Sequence, residues 1–364
     1  MSDDQGAVHC EYINHVALIT LDRPRALNAL SHTMVLRLLE LLDKAEADTD
    51  VRAVAIRGAG PKAFCAGGDV IAVASSVREG GSLHRAFFID EYQLDLRIHT
   101  FGKPVVAFMH GIVMGGGMGL VQGAALRLVA DNVRMAMPET RIGLIPDVGA
   151  SHFFSKMSAP LAAYLALTGV SLGASDALFA GLADARCCVN DPEALPALLN
   201  EIEWPEPGQA GSLPALRRAL AQRSAATDIE GALLPAQCPL IFRHFDPASP
   251  LQALVAGLES SADEWAQATA RTLRGHAPLM LALTLEALQR GRHLSLPDCF
   301  KMEYGLVQHA LACGEFMEGV RAHLIDKDRS PTWRVPSIEA LTPALIEAAL
   351  LAANETSSSF SSAN

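Results

Sequence analysis

The chain has 364 residues, half of them hydrophobic and 19% charged, with a formal net charge of −11. That length can bury a sizeable core, as one large domain or two ordinary ones. The acidic balance argues against nucleic acid or a membrane surface as partner, but not against a small anionic ligand held by a few local cations and dipoles. Seven cysteines, an odd number without CxxC spacing, fit a reducing compartment better than a disulfide framework. The opening MSDDQGAVHCEY is acidic and poor in apolar residues, unlike a signal or transit peptide. No apolar run reaches the roughly 18 residues of a membrane span. These features predict a soluble, cytoplasmic protein.

In chain order, HVALITL (15–21) predicts a strand, ended by the turn DRPRALN. TMVLRLLELLDKAEAD (33–48) carries apolar residues at helical spacing, with Ser31 as its cap. VRAVAIRG (51–58) predicts a strand stopped by glycine, and Arg85 to His99 a helix. PVVAFMHG (104–111) is strand-like, with proline at the first position, where strands tolerate it. GGGMGLVQGAA is a glycine-rich turn into a helix, and LRLVAD and VRMAM are short strands. The alternation marks an α/β fold. EIEWPEPGQAGS (201–212) is a Pro/Gly-rich loop. The stretches that follow, among them LPALRRALAQRSAA, PLQALVAGLES, SADEWAQATARTLRG, LMLALTLEALQRG and CFKMEYGLVQHALACG, predict helices. The expected organisation is an α/β core over 1–204, a helical part over 205–336, and a terminal helix with a low-complexity, disordered tail over 337–364.

Four stretches carry candidate chemistry. KAFCAGGDV (62–70) and HGIVMGGGMGL (110–120) place glycines where strands end, the second at the start of a helix. Glycines leave backbone N–H groups uncrowded, and a helix N-terminus adds free donors and a positive dipole end. Two such donors from separate loops could hold a carbonyl oxygen that becomes an oxyanion, although either loop alone reads more readily as a packing turn. In MAMPETRIGLIPDVGAS (135–151), Glu139 and Asp147 each follow a proline in an otherwise mostly apolar run. A desolvated carboxylate there would have a raised pKa suited to general-base work; two solvated loop acids are the commoner case. In FFIDEYQLDLRI (87–98), the acids Asp90, Glu91 and Asp95 lie on a helix, where most acids face water. Gly169-Val170-Ser171-Leu172-Gly173 matches a nucleophile elbow, but a helix precedes it where that motif needs a strand. Gly169 reads as that helix's stop. His110 reads as a packing or hydrogen-bonding residue, and Cys65 as a small buried one.

LITLDRPRALNAL, KAFCAGGD, HGIVMGGGMGL and the Pro-Glu about 20 residues later together resemble the enoyl-CoA hydratase/isomerase (crotonase) superfamily. AMPETRIGLIPDVGAS and GEFMEGVRAHLIDKDRSPTW (314–333) resemble its 3-hydroxyisobutyryl-CoA hydrolase branch. The resemblance covers roughly residues 10–335. It implies a crotonase-like spiral of ββα units with an added helical C-terminal part. It also implies an acyl-CoA thioester whose carbonyl oxygen is held by the N–H groups of Gly68 and Gly116. Hydratases of the superfamily resemble GGGxE at the second loop, whereas Gly119 stands at that glutamate's position here. Their other glutamate falls at Glu139. Asp147 matches the carboxylate characteristic of the hydrolase branch, and Glu91 its third acid. The implied reaction is hydrolysis of 3-hydroxyisobutyryl-CoA in valine catabolism, with Glu139 and Asp147 as the catalytic acids, Glu139 as nucleophile or base and Asp147 orienting the substrate, the water or Glu139, while Glu91 positions the acyl part. Arg25 and Lys62, beside the family loops, are candidates for the CoA phosphates. No metal and no cofactor beyond the CoA of the substrate is implied, and a homo-oligomer is compatible with the family. The alternatives are an enoyl-CoA hydratase or isomerase with a rearranged second acid, and a non-catalytic acyl-CoA-binding protein.

Overall fold

Val16–Asp22 (β2) is buried until its last residue, so it reads as a near-continuous apolar run rather than an alternating one. It pairs antiparallel with Ala7–Ile13 (β1) and parallel with Ala53–Gly58 (β3). The remaining strands are Ala63–Cys65 (β4), Val105–Met109 (β5), Ile112–Met114 (β6), Leu126–Val129 (β7), Arg134–Ala136 (β8) and Ala185–Arg186 (β9). They form a six-stranded sheet, β1-β2-β3-β5-β7-β9, and a three-stranded sheet, β4-β6-β8. All pairs beyond β1-β2 are parallel. The chain advances one strand in the large sheet and then one in the small sheet, three times over. This repetition is the ββα spiral expected from the sequence.

The computed structural model describes residues 6–205, 211–221 and 229–360. Its contacts divide the chain into two units: 1–69, 93–136 and 171–235 form the first, and 70–92, 137–170 and 236–364 the second. Both sheets belong to the first unit. Val16 and Leu18, Ala53 and Ala55, Val106 and Phe108, and Leu126 and Leu128 recur at every second position, so each pair shares one face of the large sheet. Leu195, Leu199, Leu216 and Leu220 cover that face from the helices Leu195–Asn200 and Ser212–Leu220. Helix His32–Ala47 is capped as its sequence predicts, with Ser31 accepting from the Met34 N–H.

The second unit is helical. Pro278–Gly291 is buried around most of its surface. Leu296–Cys313 and Pro343–Ser357 approach so closely that a Cβ on Gly305 would lie 2.2 Å from the Ala353 carbonyl oxygen. Tyr164 packs its ring on Phe245 and Trp265. The polar sequence NETSSSF does not begin a disordered tail: the helix runs through Ser357, and Phe360 is buried with its ring 5.5 Å from Tyr304. One aromatic side chain holds what composition alone marks as loose. The last residues, 361–364, and parts of the expected 201–212 loop and 213–226 helix lie outside the described residues. Among the described residues no helix is long and apolar enough to cross a membrane.

Candidate active site

The first unit carries the glycine loops. The turn after β2 puts Leu27 and Asn28 at φ 54° and 56°, a left-handed pair that reverses the chain. Asn28 then ties this turn to the next loop, donating to the carbonyls of Ala59 (3.0 Å) and Ala63 (2.8 Å) while its Oδ1 accepts from the Arg23 N–H. Gly67 sits at φ 106° and Gly115 at φ 51°, conformations that other residues rarely adopt. A Cβ on Gly67 would lie 3.5 Å from the Gly116 nitrogen, so the two loops are adjacent. Gly116 opens the helix Gly116–Gln122, where the N–H has no intrahelical partner. Among the described residues neither the Gly68 nor the Gly116 N–H donates to a backbone carbonyl. The two are therefore available as donors.

At Gly119, where the resemblance places the hydratase glutamate, a side chain would collide with Asp95 unless the Asp95 carboxylate moved. A Cβ there would lie 2.4 Å from Asp95 Oδ2 and 2.7 Å from its Cγ. Asp95, expected on a solvated helix face, is fully buried in this space.

The second unit carries the acids. Glu139 opens a 3-10 turn, Glu139–Ile142, ended by Gly143 at φ 75°. A Cβ on Gly143 would strike the Glu315 carbonyl oxygen at 2.2 Å. Thr140 fixes the same turn through the Leu167 carbonyl (3.1 Å) and the His276 ring nitrogen (3.0 Å). Asp147 lies ahead of the short helix Ala150–Phe153, followed by Val148 at φ 53° and Gly149 at φ 85°. Glu91 and Tyr92 are neighbours on the helix Leu83–His99. The three acids are not solvated: Glu91 is 2%, Glu139 5% and Asp147 4% exposed.

Their electrostatics follow from that burial. Tyr92 donates its hydroxyl to Asp147 Oδ2 at 2.6 Å. Burial pushes the Asp147 carboxyl up to about 6, with the Tyr92 hydrogen bond acting the other way. Burial first, and the Asp147 charge second, hold Glu139 and Glu91 well above the ordinary carboxylate range. One acid thus keeps a donor that favours its charge, whereas burial and the neighbouring charge shift the other two toward their protonated forms. Tyr92 is held well above the usual phenol range, chiefly by burial, and so remains a donor.

The structure brings Glu91, Glu139 and Asp147 into one interacting group, and Gly68 and Gly116 into adjacent loops. Arg25 and Lys62 are exposed and form no ion pair among the described residues. Sequence reasoning missed Tyr92, which follows Glu91 in the EY pair, and Asn28 in the RPRALN turn. It also missed Glu303, a buried carboxylate in MEYGL that no catalytic pattern marks. His110 bonds the Gly60 carbonyl at 2.8 Å and Cys65 is buried, both as expected. The helix Ala159–Thr168, stopped by Gly169 at φ 58°, precedes Ser171 as expected, where a nucleophile elbow needs a strand.

A family model described as enoyl-CoA hydratase/isomerase matches residues 16–350. The protein named 3-hydroxyisobutyryl-CoA hydrolase, mitochondrial, of Danio rerio is 36% identical over 348 residues, 95% of this chain and 90% of its own. The protein of the same name from Gallus gallus is 35% identical over 330 residues, 91% of this chain and 85% of its own. Among solved structures, a carnitinyl-CoA dehydratase from Mycobacterium thermoresistibile matches with a TM-score of 0.83 at 34% identity, over 94% of this chain and 96% of that one. The mitochondrial names of the two relatives overturn the expectation of a cytoplasmic protein. Free thiols separate reducing from oxidising surroundings, not one reducing compartment from another.

Proposed function

Because the chain belongs to the enoyl-CoA hydratase/isomerase family, within its branch of 3-hydroxyisobutyryl-CoA hydrolases, we propose that it cleaves 3-hydroxyisobutyryl-CoA with water to 3-hydroxyisobutyrate and CoA, a step of valine catabolism. The observation that carries this reading is the exchange of acids. Position 119 carries no carboxylate and the Asp95 side chain occupies the space next to it, while Glu139 stands in a group with Asp147 and Glu91.

In this reading the thioester carbonyl oxygen accepts from the Gly68 and Gly116 N–H groups as the carbon becomes tetrahedral and charge builds on oxygen. One good oxyanion donor is worth about a hundred- to a thousandfold in kcat. Glu139 acts in one of two ways. As a base it takes a proton from water, whose oxygen bonds to the carbonyl carbon while the C–S bond breaks. As a nucleophile its carboxylate displaces the thiolate, and water then cleaves the anhydride. In both, CoA leaves as thiolate, a fair leaving group, so no strong acid is required. Asp147 and Glu91 orient the acyl part, Asp147 through the substrate hydroxyl or the water.

A hydration reading has one observation in its favour, the likeness to a solved carnitinyl-CoA dehydratase. Gly119 weighs against it, since water addition across a double bond is shared between two glutamates in the family pattern. The deciding experiment offers crotonyl-CoA and 3-hydroxyisobutyryl-CoA side by side and reads free thiol. Thiol from the hydroxyacyl substrate alone is expected. Hydration of crotonyl-CoA without thiol release overturns the proposal. Binding of both without turnover would leave an acyl-CoA-binding protein.

A further inference from the structure

The Leu296–Cys313 helix sets Phe300, Glu303 and Tyr304 on one face, three and four residues apart. Glu303 is completely buried, and a buried carboxylate is costly unless donors surround it. It has three. Oε2 accepts from the Gly149 N–H at 2.7 Å, and Oε1 accepts from the Ser151 N–H at 2.8 Å and the Ser151 hydroxyl at 2.6 Å. These bonds grip the segment directly after Asp147. That segment needs a grip, because Val148 is a β-branched residue at φ 53°, a conformation that persists only where its surroundings over-determine it.

The same face supports Asp147 from its other side. Tyr92, which donates to Asp147, packs its ring on Phe300 (5.6 Å) and Tyr304 (6.4 Å). A Cβ on Gly149 would lie 3.1 Å from the Phe300 ring, so the loop is pressed against this helix as well as bonded to it. One turn of one helix therefore fixes both the backbone that carries Asp147 and the phenol that orients it. We propose that Glu303 is a positioning residue for Asp147, holding residues 148–151 in the conformation that turns the Asp147 carboxylate onto Tyr92. Its kinetic consequence rests on the hydrolase reading.

The test replaces Glu303 by Gln. Both carboxylate oxygens accept a backbone N–H, so an amide must turn its NH2 toward one of them in either orientation. Thiol release and amide hydrogen exchange are measured for the wild type, Glu303→Gln, Asp147→Asn and the double variant; Glu303→Asp, which keeps two accepting carboxyl oxygens, replaces Gln where that variant does not fold. The expected kcat loss for Glu303→Gln is tenfold or more with KM within threefold, falling to less than twofold in the Asp147→Asn background. Faster exchange at Gly149 and Ser151 is expected alongside. An equal kcat loss in both backgrounds makes Glu303 a general structural support and overturns the proposal, as does an unchanged kcat. A wild type that releases no CoA overturns the hydrolase reading instead. The clamp is then decided by exchange alone, and unchanged exchange at Gly149 and Ser151 overturns it.

Discussion

The two units solve opposite problems with opposite means. In the first, Gly67 and Gly115 keep side chains away from backbone N–H groups that donate to no backbone carbonyl among the described residues, and their geometry is fixed by local φ angles. Such donors do not titrate. In the second, Glu91, Glu139 and Asp147 are side chains whose behaviour is set by what surrounds them, and burial moves all three upward. A backbone donor is legible in a few consecutive letters; a perturbed acid is a property of the packed unit. Substitution and pH should therefore act differently on the two.

The largest expected effect is in the acid group. Glu139→Gln is expected to lower kcat for thiol release by about 10²–10⁴ while acyl-CoA still binds, measured by turnover and by equilibrium titration. A loss below tenfold would remove Glu139 from the chemistry. Next, in the first unit, Gly119→Ala is expected to destabilise by about 1–3 kcal/mol through collision with Asp95, read by urea unfolding. Adding Asp95→Ala should recover much of it. Additive losses would mean the collision with Asp95 is not the cause.

The third contrast concerns pH. If turnover needs ionised Asp147, activity is present above and lost as pH falls through about 6. The Tyr92 hydroxyl favours the ionised form and so lowers this midpoint. Tyr92→Phe is then expected to move the acid limb upward by about one pH unit, the scale of a hydrogen bond to a charged group. A downward or absent shift in the kcat/KM profile would detach Tyr92 from Asp147. The smallest effect is expected at the exposed cations: Arg25→Ala with Lys62→Ala should raise KM by about two- to fivefold without changing kcat, more at low salt than at high. No change in KM would leave the CoA phosphates to other residues.

Much of the first unit could be read from the sequence, because local rules decide it. Ser31 caps a helix, Gly58 ends a strand, and glycines mark the donor loops. Of the three-residue strands, β8 lies in VRMAM and was read as a short strand, whereas β4 and β6 are too short for any period to register. Glu139 and Asp147 were visible through resemblance, yet their residue types alone favoured solvated loops. Asp95 and Glu303 were illegible for a deeper reason. An acid on a helix is normally wet, and what buries these two is Gly119, 24 residues from Asp95, and the loop around Ser151, over 150 residues from Glu303.

The near-contact of backbones at Gly305 and Ala353 has a practical consequence. It seats the closing helix against the helix that carries Glu303, and Phe360 then sits on Tyr304 and Tyr92. Trimming the C-terminus to remove a serine-rich end would take away a wall of the aromatic box around Tyr92. An affinity tag joined after Asn364 leaves Phe360 in the chain, whereas one that replaces residues from 355 onward removes it together with the last turn of the closing helix.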